Sequence, residues 1–228
     1  MTMKSNVAMK LSNNTTNILK NFSQINQSIL IKEGNKLKTI SVMKNILAEA
    51  EVEEEFEKDF AIYDLNQFLS GLSLYDAPDL DFGESYLTIR DGRRRAKYFF
   101  ADPDVIVSPP EKEITLPSRD VCFTVATQQL DKLLKAASIY QVPDLSAVGR
   151  NGKIELVVRD KKNDTSDEFS EEVGETDLSF GFYFKVEIIK IIPGAYDVVI
   201  SSKLLAEFTN KNTDLKYYIA LEPDSTFG

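Results

Sequence analysis

The sequence contains no histidine, no tryptophan and a single cysteine among its 228 residues. Without histidine there is no Ser-His-Asp or Cys-His nucleophile pair, no histidine-ligated metal and no HExxH metalloprotease motif. One cysteine excludes an intrachain disulfide and every multi-cysteine zinc or iron–sulfur site. Because Cys122 lies in a hydrophobic stretch, we expect it to be a small core residue. We assign no catalytic residue, no metal ligand and no cofactor, and we expect a protein that is not an enzyme.

The chain also has little that would carry it to or through a membrane. Met1–Leu11 contains lysines but lacks the apolar segment of a secretory signal. The most apolar stretch, Leu178–Ile192, is interrupted by Lys185, Glu187 and Lys190 and is too short to cross a bilayer. We expect a cytoplasmic protein without a membrane partner. The phosphate-binding GxxxxGK[ST] motif is absent as well, so a P-loop nucleotide site is not supported.

Acidic residues outnumber basic ones by 36 to 27, which gives a net charge of −9. An evenly spread charge of that sign would repel nucleic acid and anionic lipid. The hydrophobic fraction of 43% is enough for a folded core, and 228 residues suit either one large domain or two smaller ones. A nucleic-acid-binding protein of this composition has to gather its positive charge in one place.

Hydrophobic periodicity predicts three helices. Asn14–Asn26 places its apolar residues on one side, and Ser12 or Asn13 is the expected N-terminal cap. The same spacing predicts helices at 63–74 and 127–140.

Short alternating segments predict antiparallel strands. The expected strands are 28–32, 37–41, 48–52, 86–90, 97–101, 145–148, 153–159, 196–201, 205–209 and 216–221. We expect the first two to form a hairpin through the turn at Glu33-Gly34-Asn35. The polar, acidic segment 163–176 is expected to be a loop, and 180–192 fits either a strand or a short helix.

Three prolines within 105–117 predict an extended connector. On either side of it, helices, hairpins and strands recur in the same order. Each half closes with an aromatic strand that runs into an acid-Pro-Asp sequence, at 98–104 and at 218–224. The pattern predicts a twofold internal repeat, and tandem similar domains favour assembly into a symmetric ring. Chance similarity between two α+β modules is the alternative.

Positive charge gathers in the helix candidates, taken here as 10–28, 63–75, 125–141 and 183–192. They hold six lysines against three acids. The six are Lys10, Lys20, Lys132, Lys135, Lys185 and Lys190. Lysines spaced by neutral polar residues suit loose, sequence-independent contact with a phosphate backbone. The alternative is that these lysines are ordinary solvent-exposed residues on the faces of helices. The acidic runs 49–59 and 164–177 lack the EF-hand spacing, and we expect them to be solvated.

Several short segments, in order and at near-constant spacing, carry a family resemblance. They are Met9–Ser12, Thr15-Thr16, Leu19–Phe22, Ala61–Asn66, Phe68-Leu69, Ala101–Pro103, Leu130 with Leu133-Leu134, Pro193-Gly194 with Tyr196, and Ala220–Glu222 with Asp224–Thr226. Together they resemble the sliding clamps, or DNA polymerase processivity factors, of T-even-type bacteriophages. The resemblance runs from Met9 to about Thr226. Residues 1–8 look like an N-terminal extension, and 163–177 and 180–192 diverge from the family pattern.

The resemblance implies an α+β DNA-clamp fold with two similar domains per subunit, over 9–108 and 109–228. It implies a ring-shaped homotrimer whose helices line the hole around duplex DNA and whose antiparallel sheets face outward. The implied partners are duplex DNA without sequence preference, the C-terminal tail of a DNA polymerase, an ATP-dependent clamp loader and a sigma-like factor of late viral transcription. For a viral protein of this kind, the implied location is the host cell cytoplasm.

Site residues follow from the same resemblance. The six lysines would face the DNA. A groove for a partner peptide would be formed by Ile114, Leu116, Ala220, Leu221 and Pro223; alternatively, these apolar residues only seal the two domains together. Edge strands of neighbouring subunits would pair, and we expect 97–101 to meet a strand near 179–184.

Two other functions remain compatible with the sequence. An acidic adaptor would bind proteins and would never contact DNA. A carboxylate-dependent metal enzyme would need its acids clustered in one pocket, and a divalent metal would then raise its melting temperature.

Overall fold

The computed structural model describes residues 8–228, so residues 1–7 of the expected extension lie outside the described residues. The helices are α1 (Asn13–Ile25), α2 (Leu65–Leu72) and α3 (Thr127–Tyr140). The strands are β1 (Ile29–Ile31), β2 (Gly34–Ile40), β3 (Ile46–Phe56), β4 (Phe60–Ile62), β5 (Asp79–Phe82), β6 (Tyr86–Asp91), β7 (Arg94–Phe99), β8 (Val121–Val125), β9 (Asp144–Arg150), β10 (Lys153–Arg159), β11 (Phe169–Glu175), β12 (Phe180–Lys185), β13 (Tyr196–Ser201), β14 (Leu205–Asn210), β15 (Leu215–Ala220) and β16 (Thr226–Phe227). Within the described part of the chain, no helix is both long and apolar enough to cross a membrane.

The chain divides into two compact units. The first consists of the described residues up to Val42 together with Glu49–Pro109. The second consists of Met43–Ala48 and Pro110–Gly228. β3 therefore begins in the second unit and continues in the first. Each unit combines helix with antiparallel strands, which is the α+β composition that the sequence predicted.

In the first unit, α1 contacts α2 and β2, and four phenylalanines form an aromatic cluster. The ring centroid of Phe60 lies 5.7 Å from that of Phe56, 5.1 Å from that of Phe82 and 5.2 Å from that of Phe100. Tilted rings at these distances contribute more than their buried area alone. β5, β6 and β7 form a separate three-stranded sheet, in that order. The β6–β7 hairpin turns at Gly92.

The predicted hairpin through Glu33-Gly34-Asn35 is wrong, because β1 pairs with β4 rather than with β2. The Asp59 carboxylate holds the two strands together. It accepts hydrogen bonds from Lys32 Nζ at 2.9 Å and from the Glu33 N–H at 2.8 Å. These contacts keep the pKa of the Asp59 carboxyl below its ordinary value. Gly34, with φ of +107°, then turns the chain into β2, a conformation that favours glycine.

The second unit contains a five-stranded sheet in the order β11-β10-β9-β12-β16, and α3 packs on β10 and β11. The predicted strands 145–148 and 153–159 form the β9–β10 hairpin, and its turn residues Asn151 and Gly152 have φ of 53° and 81°. A second run of strands has the order β15-β14-β13-β8. The start of β3 lies beside β15, where the Ala220 N–H donates to the Asn45 carbonyl at 2.9 Å.

The acidic segment 163–176 is not wholly a loop, because Phe169–Glu175 forms β11. This strand pairs with β10, and the register shifts between Ile154 and Glu155. It lies at an edge of its sheet, and none of its residues is fully buried. It therefore lacks the regular apolar alternation by which a strand is predicted. The ambiguous segment 180–192 forms β12, followed by a 3-10 turn at Val186–Ile188.

β12 has both of its edges occupied within residues 8–228. β9 pairs along one edge, and the last residues of the chain cover the other. There the Glu222 N–H donates to the Tyr183 carbonyl at 2.8 Å, and the Tyr183 N–H donates to Ser225 Oγ at 3.0 Å. β16 continues this edge. The expected pairing of 179–184 with a neighbouring subunit therefore finds no free edge on β12.

Cys122 is exposed, which corrects the expectation of a core residue. Burial alternates along β8, with Val121, Phe123 and Val125 inside. Because successive side chains of a strand point to opposite faces, Cys122 lies on the outer face. The hydrophobic residues around Cys122 in the sequence therefore do not indicate which face of the strand its side chain occupies.

Candidate nucleic-acid interface

The exposed face of α1 contains no acidic residue. Its exposed side chains recur every three or four positions: Asn13, Asn17, Lys20 and Gln24. The opposite side is buried and includes Ile18, Leu19, Phe22 and Ile25. The helix is amphipathic, with a narrow exposed face of one cation among neutral polar groups.

A buried carboxylate fixes the start of α1. Ser12 caps the helix, as predicted, and its Oγ accepts from the Thr15 N–H at 3.1 Å. Glu54 of β3 is only 7% exposed and accepts from both the Ser12 N–H and the Thr15 hydroxyl. The acidic run 49–59 was expected to be solvated, and Glu54 is its buried exception. In the sequence, the one sign of this burial is spacing: Glu54 lies two positions from both Val52 and Phe56, so it shares a strand face with these apolar residues.

Replacing Glu54 with alanine should lower the free energy of unfolding by about 1–3 kcal/mol, since it leaves buried hydrogen-bond donors without an acceptor. Urea unfolding followed by circular dichroism measures this. Glu53→Ala is the matched control on the same strand, because Glu53 is exposed and its loss should change stability by at most about 0.5 kcal/mol. Equal losses in the two variants would mean that Glu54 does not anchor α1.

The exposed face of α3 carries two of the predicted lysines. Gln128, Asp131, Lys132, Lys135 and Ser138 are exposed. The buried side consists of Leu130, Leu133, Ala136 and Ala137. The face therefore has two cations against one acid, in a chain whose overall charge is strongly negative.

α2 contributes a neutral face to the first unit. Asn66, Gln67 and Ser70 are exposed and uncharged. Asp64 caps this helix through a hydrogen bond from the Gln67 N–H at 2.9 Å. That bond, and a second one from the Gln27 side chain, hold the pKa of the Asp64 carboxyl below its ordinary value.

The other three predicted lysines do not lie on helices. Lys10 precedes α1, and its ammonium pairs with Asp79 at 3.6 Å. Lys190 follows the 3-10 turn after β12 and is exposed. Lys185 is the last residue of β12, which corrects the helix candidate over 183–192.

Lys185 is held by a buried partner in its own unit. Its Nζ lies 2.6 Å from Asp144 Oδ1, and the Asp144 side chain is 1% exposed. This hydrogen bond is the main reason why the pKa of the Lys185 ammonium is raised. Breaking the pair would leave a buried carboxylate without its cation, which is costly. Lys185 is therefore the least available of the six lysines for another anion.

The five residues of the expected partner groove all belong to the second unit. Ile114 and Leu116 are half-buried in a stretch without regular structure, and Pro223 is exposed. Ala220 ends β15, whereas Leu221 is buried, with its N–H bonded to the Leu204 carbonyl at 3.0 Å. The position of Leu221 favours a core role for that one side chain.

Met43 is an exposed apolar residue that the sequence did not single out. Its side chain is 81% exposed, and it belongs to the same unit as Ile114 and Leu116. It lies two positions before Asn45, whose carbonyl bonds to Ala220. No sequence signal distinguishes Met43 from a core methionine, because its exposure results from a turn that starts only after β2.

The acids do not gather into a metal site in the part of the chain that the structure describes. No group of three or more aspartate, glutamate or cysteine side chains in residues 8–228 is arranged to hold a metal ion. The exposed acids of β3 instead alternate with buried residues along the strand.

Solved structures of sliding clamps share this fold. PCNA from Thermococcus kodakaraensis superposes with a TM-score of 0.69 at 15% identity, over 95% of this chain and 99% of that chain. The DNA polymerase III subunit beta DnaN sliding clamp from Bartonella birtlesii gives a TM-score of 0.70 at 14% identity, over 97% of this chain and 67% of that chain. The architecture is the DNA-clamp fold, as predicted.

Sequence relatives narrow the class further. The family model of the DNA polymerase processivity factor matches residues 10–108. The sliding clamp of Escherichia phage RB69 is 34% identical over 228 residues, covering 96% of this chain and 99% of the relative. That of Vibrio phage KVP40 is 31% identical over 222 residues, covering 94% of this chain and 99% of the relative. The chain belongs to this family of phage sliding clamps, and its function is that of a DNA polymerase processivity factor.

Proposed function

We propose that this chain closes into a homotrimeric ring around duplex DNA and tethers a replicative polymerase to it. The observation that carries the proposal is the pair of lysine-bearing, acid-poor faces on α1 and α3. In a chain of net charge −9, these two faces are the ones suited to a phosphate backbone. Each unit would be one clamp domain, with the boundary near 108/109, and the helices of both domains would line the hole.

The composition of these faces suits sliding rather than fixed binding. Lys20, Lys132 and Lys135 are exposed on long flexible stems, and their neighbours are mainly neutral amides and hydroxyls. Phosphate contacts of this kind carry no sequence information and are screened by salt. A ring held by topology needs only such weak contacts, because its retention does not depend on affinity.

The test of encirclement is topological. Wild-type protein is loaded on a nicked circular plasmid by the cognate clamp loader and ATP, and the plasmid is then cut with a restriction enzyme. We expect the protein to remain on the circle and to leave the linear product by sliding off its ends. Loss from both forms at the same rate would refute encirclement, and absence of any ATP-dependent retention would favour the acidic adaptor.

Ring closure needs two complementary edges on each subunit, because head-to-tail contacts close only when different patches meet. β7 is at an edge of its three-stranded sheet, and β11 is at an edge of the five-stranded sheet. Since β12 has no free edge, β11 replaces it in our proposal as the partner of β7. One acceptor of β11 is already used, because Gln129 Nε2 donates to the Glu172 carbonyl at 3.0 Å.

The charges of the two edges are opposite. Arg94 and Arg95 of β7 are exposed, and no ion pair involves them within residues 8–228. β11 carries Glu171, Glu172 and Glu175. Phe99, at the end of β7, is a large apolar residue left 66% exposed. Opposite charges across paired strands, with an apolar residue to bury, are the features of a specific strand-to-strand contact.

The groove for the polymerase C-terminal tail would lie at Ile114, Leu116, Ala220 and Pro223, to which we add Met43. An extended connector leaves backbone groups free, so a docked peptide gains hydrogen bonds as well as apolar burial. Leu221 would support the groove from the core rather than line it. The clamp loader and a sigma-like factor of late transcription are further proposed partners, and both would compete with the polymerase if they use this groove.

Leu116→Ala should weaken binding of the cognate polymerase C-terminal peptide by about tenfold or more, because a few apolar anchors carry most of the energy of such contacts. Fluorescence anisotropy of a labelled peptide measures this. Leu74→Ala is the matched control, since Leu74 is 71% exposed and belongs to the first unit. Equal affinities for wild type, Leu116→Ala and a Met43→Ala variant would place the groove elsewhere.

A further inference from the structure

A small cavity in the second unit has features that the clamp function does not use. It has a volume of about 200 Å³ and is lined by residues of β9, β10 and β12 together with Lys161 and Glu168. Its polar lining consists of Ser146, Arg150, Arg159, Lys161, Glu168 and Tyr183. A cavity of this size has room for a small oxyanion or for several waters.

The cavity lies on the sheet face opposite to the buried core. Along β9, Leu145 and Ala147 are buried, and Ser146 points to the other face because side chains alternate. Val157 and Tyr183 lie directly opposite Ser146 on the two neighbouring strands. No residue of α3 lines the cavity, so the cavity is separate from Lys132 and Lys135.

Two buried polar atoms of the lining have no hydrogen-bond partner among residues 8–228. They are Ser146 Oγ and Arg159 Nε. Ser146 is 2% exposed, so its hydroxyl cannot turn to bulk water. The Nε–H of arginine can only donate, and a serine hydroxyl can donate as well. Because buried polar groups are almost always satisfied, the two atoms call for an acceptor inside the cavity.

The charges of the lining favour an anion over a neutral acceptor. Three of its residues are cationic and one, Glu168, is acidic. Arg150 is already paired with Glu155 at 3.0 Å, so the argument rests on Arg159 and Lys161. The Lys161 side chain is only 9% exposed, and its ammonium lies 4.5 Å from the Tyr183 ring centroid and 2.5 Å from Asp224. Arg159 is paired only at its far end, where Nη1 lies 3.5 Å from Glu168. The guanidinium therefore keeps its Nε side for another acidic group.

We propose that this cavity binds a small oxyanion, a phosphate or a carboxylate, through Arg159 Nε and Ser146 Oγ. The ligand accepts from both atoms at once and lies close to Lys161. Its source is either free phosphate or an acidic side chain of a partner that contacts this sheet. The site does not depend on the ring or on the DNA-facing lysines, so its failure would leave the proposed function untouched.

The test compares melting temperatures of the full chain in sodium phosphate, sodium acetate and sodium chloride at equal ionic strength. A ligand that binds only the folded state raises the melting temperature with its concentration. We expect phosphate or acetate to raise it above chloride in wild type, and the rise to be lost in Arg159→Gln. Arg90→Gln is the matched control, because Arg90 pairs with Asp81 at 3.3 Å in the first unit and should keep the full rise.

Ser146→Ala gives a second, independent measurement. Without added anion it should be as stable as wild type or more stable, because it removes a buried hydroxyl that has no partner. With anion it should show less than half of the wild-type rise. A response to phosphate alone indicates the free ion, and a response to acetate alone indicates a partner's carboxylate. Equal anion effects in wild type, Arg159→Gln and Ser146→Ala would overturn the proposal, and the cavity would then hold only water.

Discussion

Reversing the charge of β7, with Arg94→Glu and Arg95→Glu in one chain, is expected to convert the proposed homotrimer into monomers at micromolar concentration. In the proposed interface these side chains meet the glutamates of β11, and like charges on paired strands are destabilising. Two reversed pairs change each interface by about 1–4 kcal/mol. That corresponds to about fivefold to nearly a thousandfold in its dissociation constant. Light scattering after size-exclusion chromatography gives the mass directly.

Compensating substitutions on β11 distinguish a specific β7–β11 contact from a general effect of net charge. A chain that also carries Glu171→Arg and Glu175→Arg has both edges reversed, so every head-to-tail contact regains opposite charges. It should be trimeric again. Lys162→Glu with Lys203→Glu is the control of equal charge change, since both lysines are exposed outside the two edges. If the four-substitution chain stays monomeric while this control is trimeric, the β7–β11 assignment is wrong.

Most of the fold could be predicted because its signals are local. α1 and α3 follow from apolar spacing, and the Asn151-Gly152 turn fixes the β9–β10 hairpin. Strands β13 to β15 are half-buried and alternate clearly, so they were predicted within a residue or two. Each of these helices and strands is specified by residues that lie close together in the sequence.

The errors concern partners that are distant in sequence. β1 and β2 are adjacent and separated by a glycine turn, yet β1 pairs with β4 through the Asp59 carboxylate. β11 was missed because its residues are acidic and half-exposed, and only pairing with β10 makes it a strand. Tertiary pairing overrode the local preference in both places.

In the candidate site, too, features that depend on nearby residues could be predicted, and those that depend on distant partners could not. Lys20, Lys132 and Lys135 could be predicted to be exposed, because the opposite sides of their helices are apolar. The ion pair between Lys185 and Asp144 could not be predicted, since the two residues meet only where β12 pairs with β9. The role of Glu54 was hidden for the same reason: its partners at the start of α1 lie about forty residues earlier.

Replacing Lys20, Lys132, Lys135 and Lys190 together with glutamate is expected to abolish most clamp-dependent processive synthesis while the proposed trimer remains intact. The four changes turn cations that attract phosphates into anions that repel them. Each lost phosphate contact removes about 0.9 from the slope of log affinity against log salt. Product length on a primed circular template, with cognate polymerase and loader, should fall about tenfold or more. Lys10 and Lys185 are left unchanged, because ion pairs with Asp79 and Asp144 already engage them.

A control must separate the effect of where the new charges lie from the effect of the net charge. The control replaces Lys36, Lys162, Lys203 and Lys211 with glutamate, four exposed lysines outside the helices, and so gives the same net charge. It should support long products at moderate salt, since its acquired charge lies outside α1 and α3. Single lysine changes should have little effect, because each contact is solvated and weak. If the variant with Lys20, Lys132, Lys135 and Lys190 replaced makes long products as the control does, the DNA does not pass along these lysines.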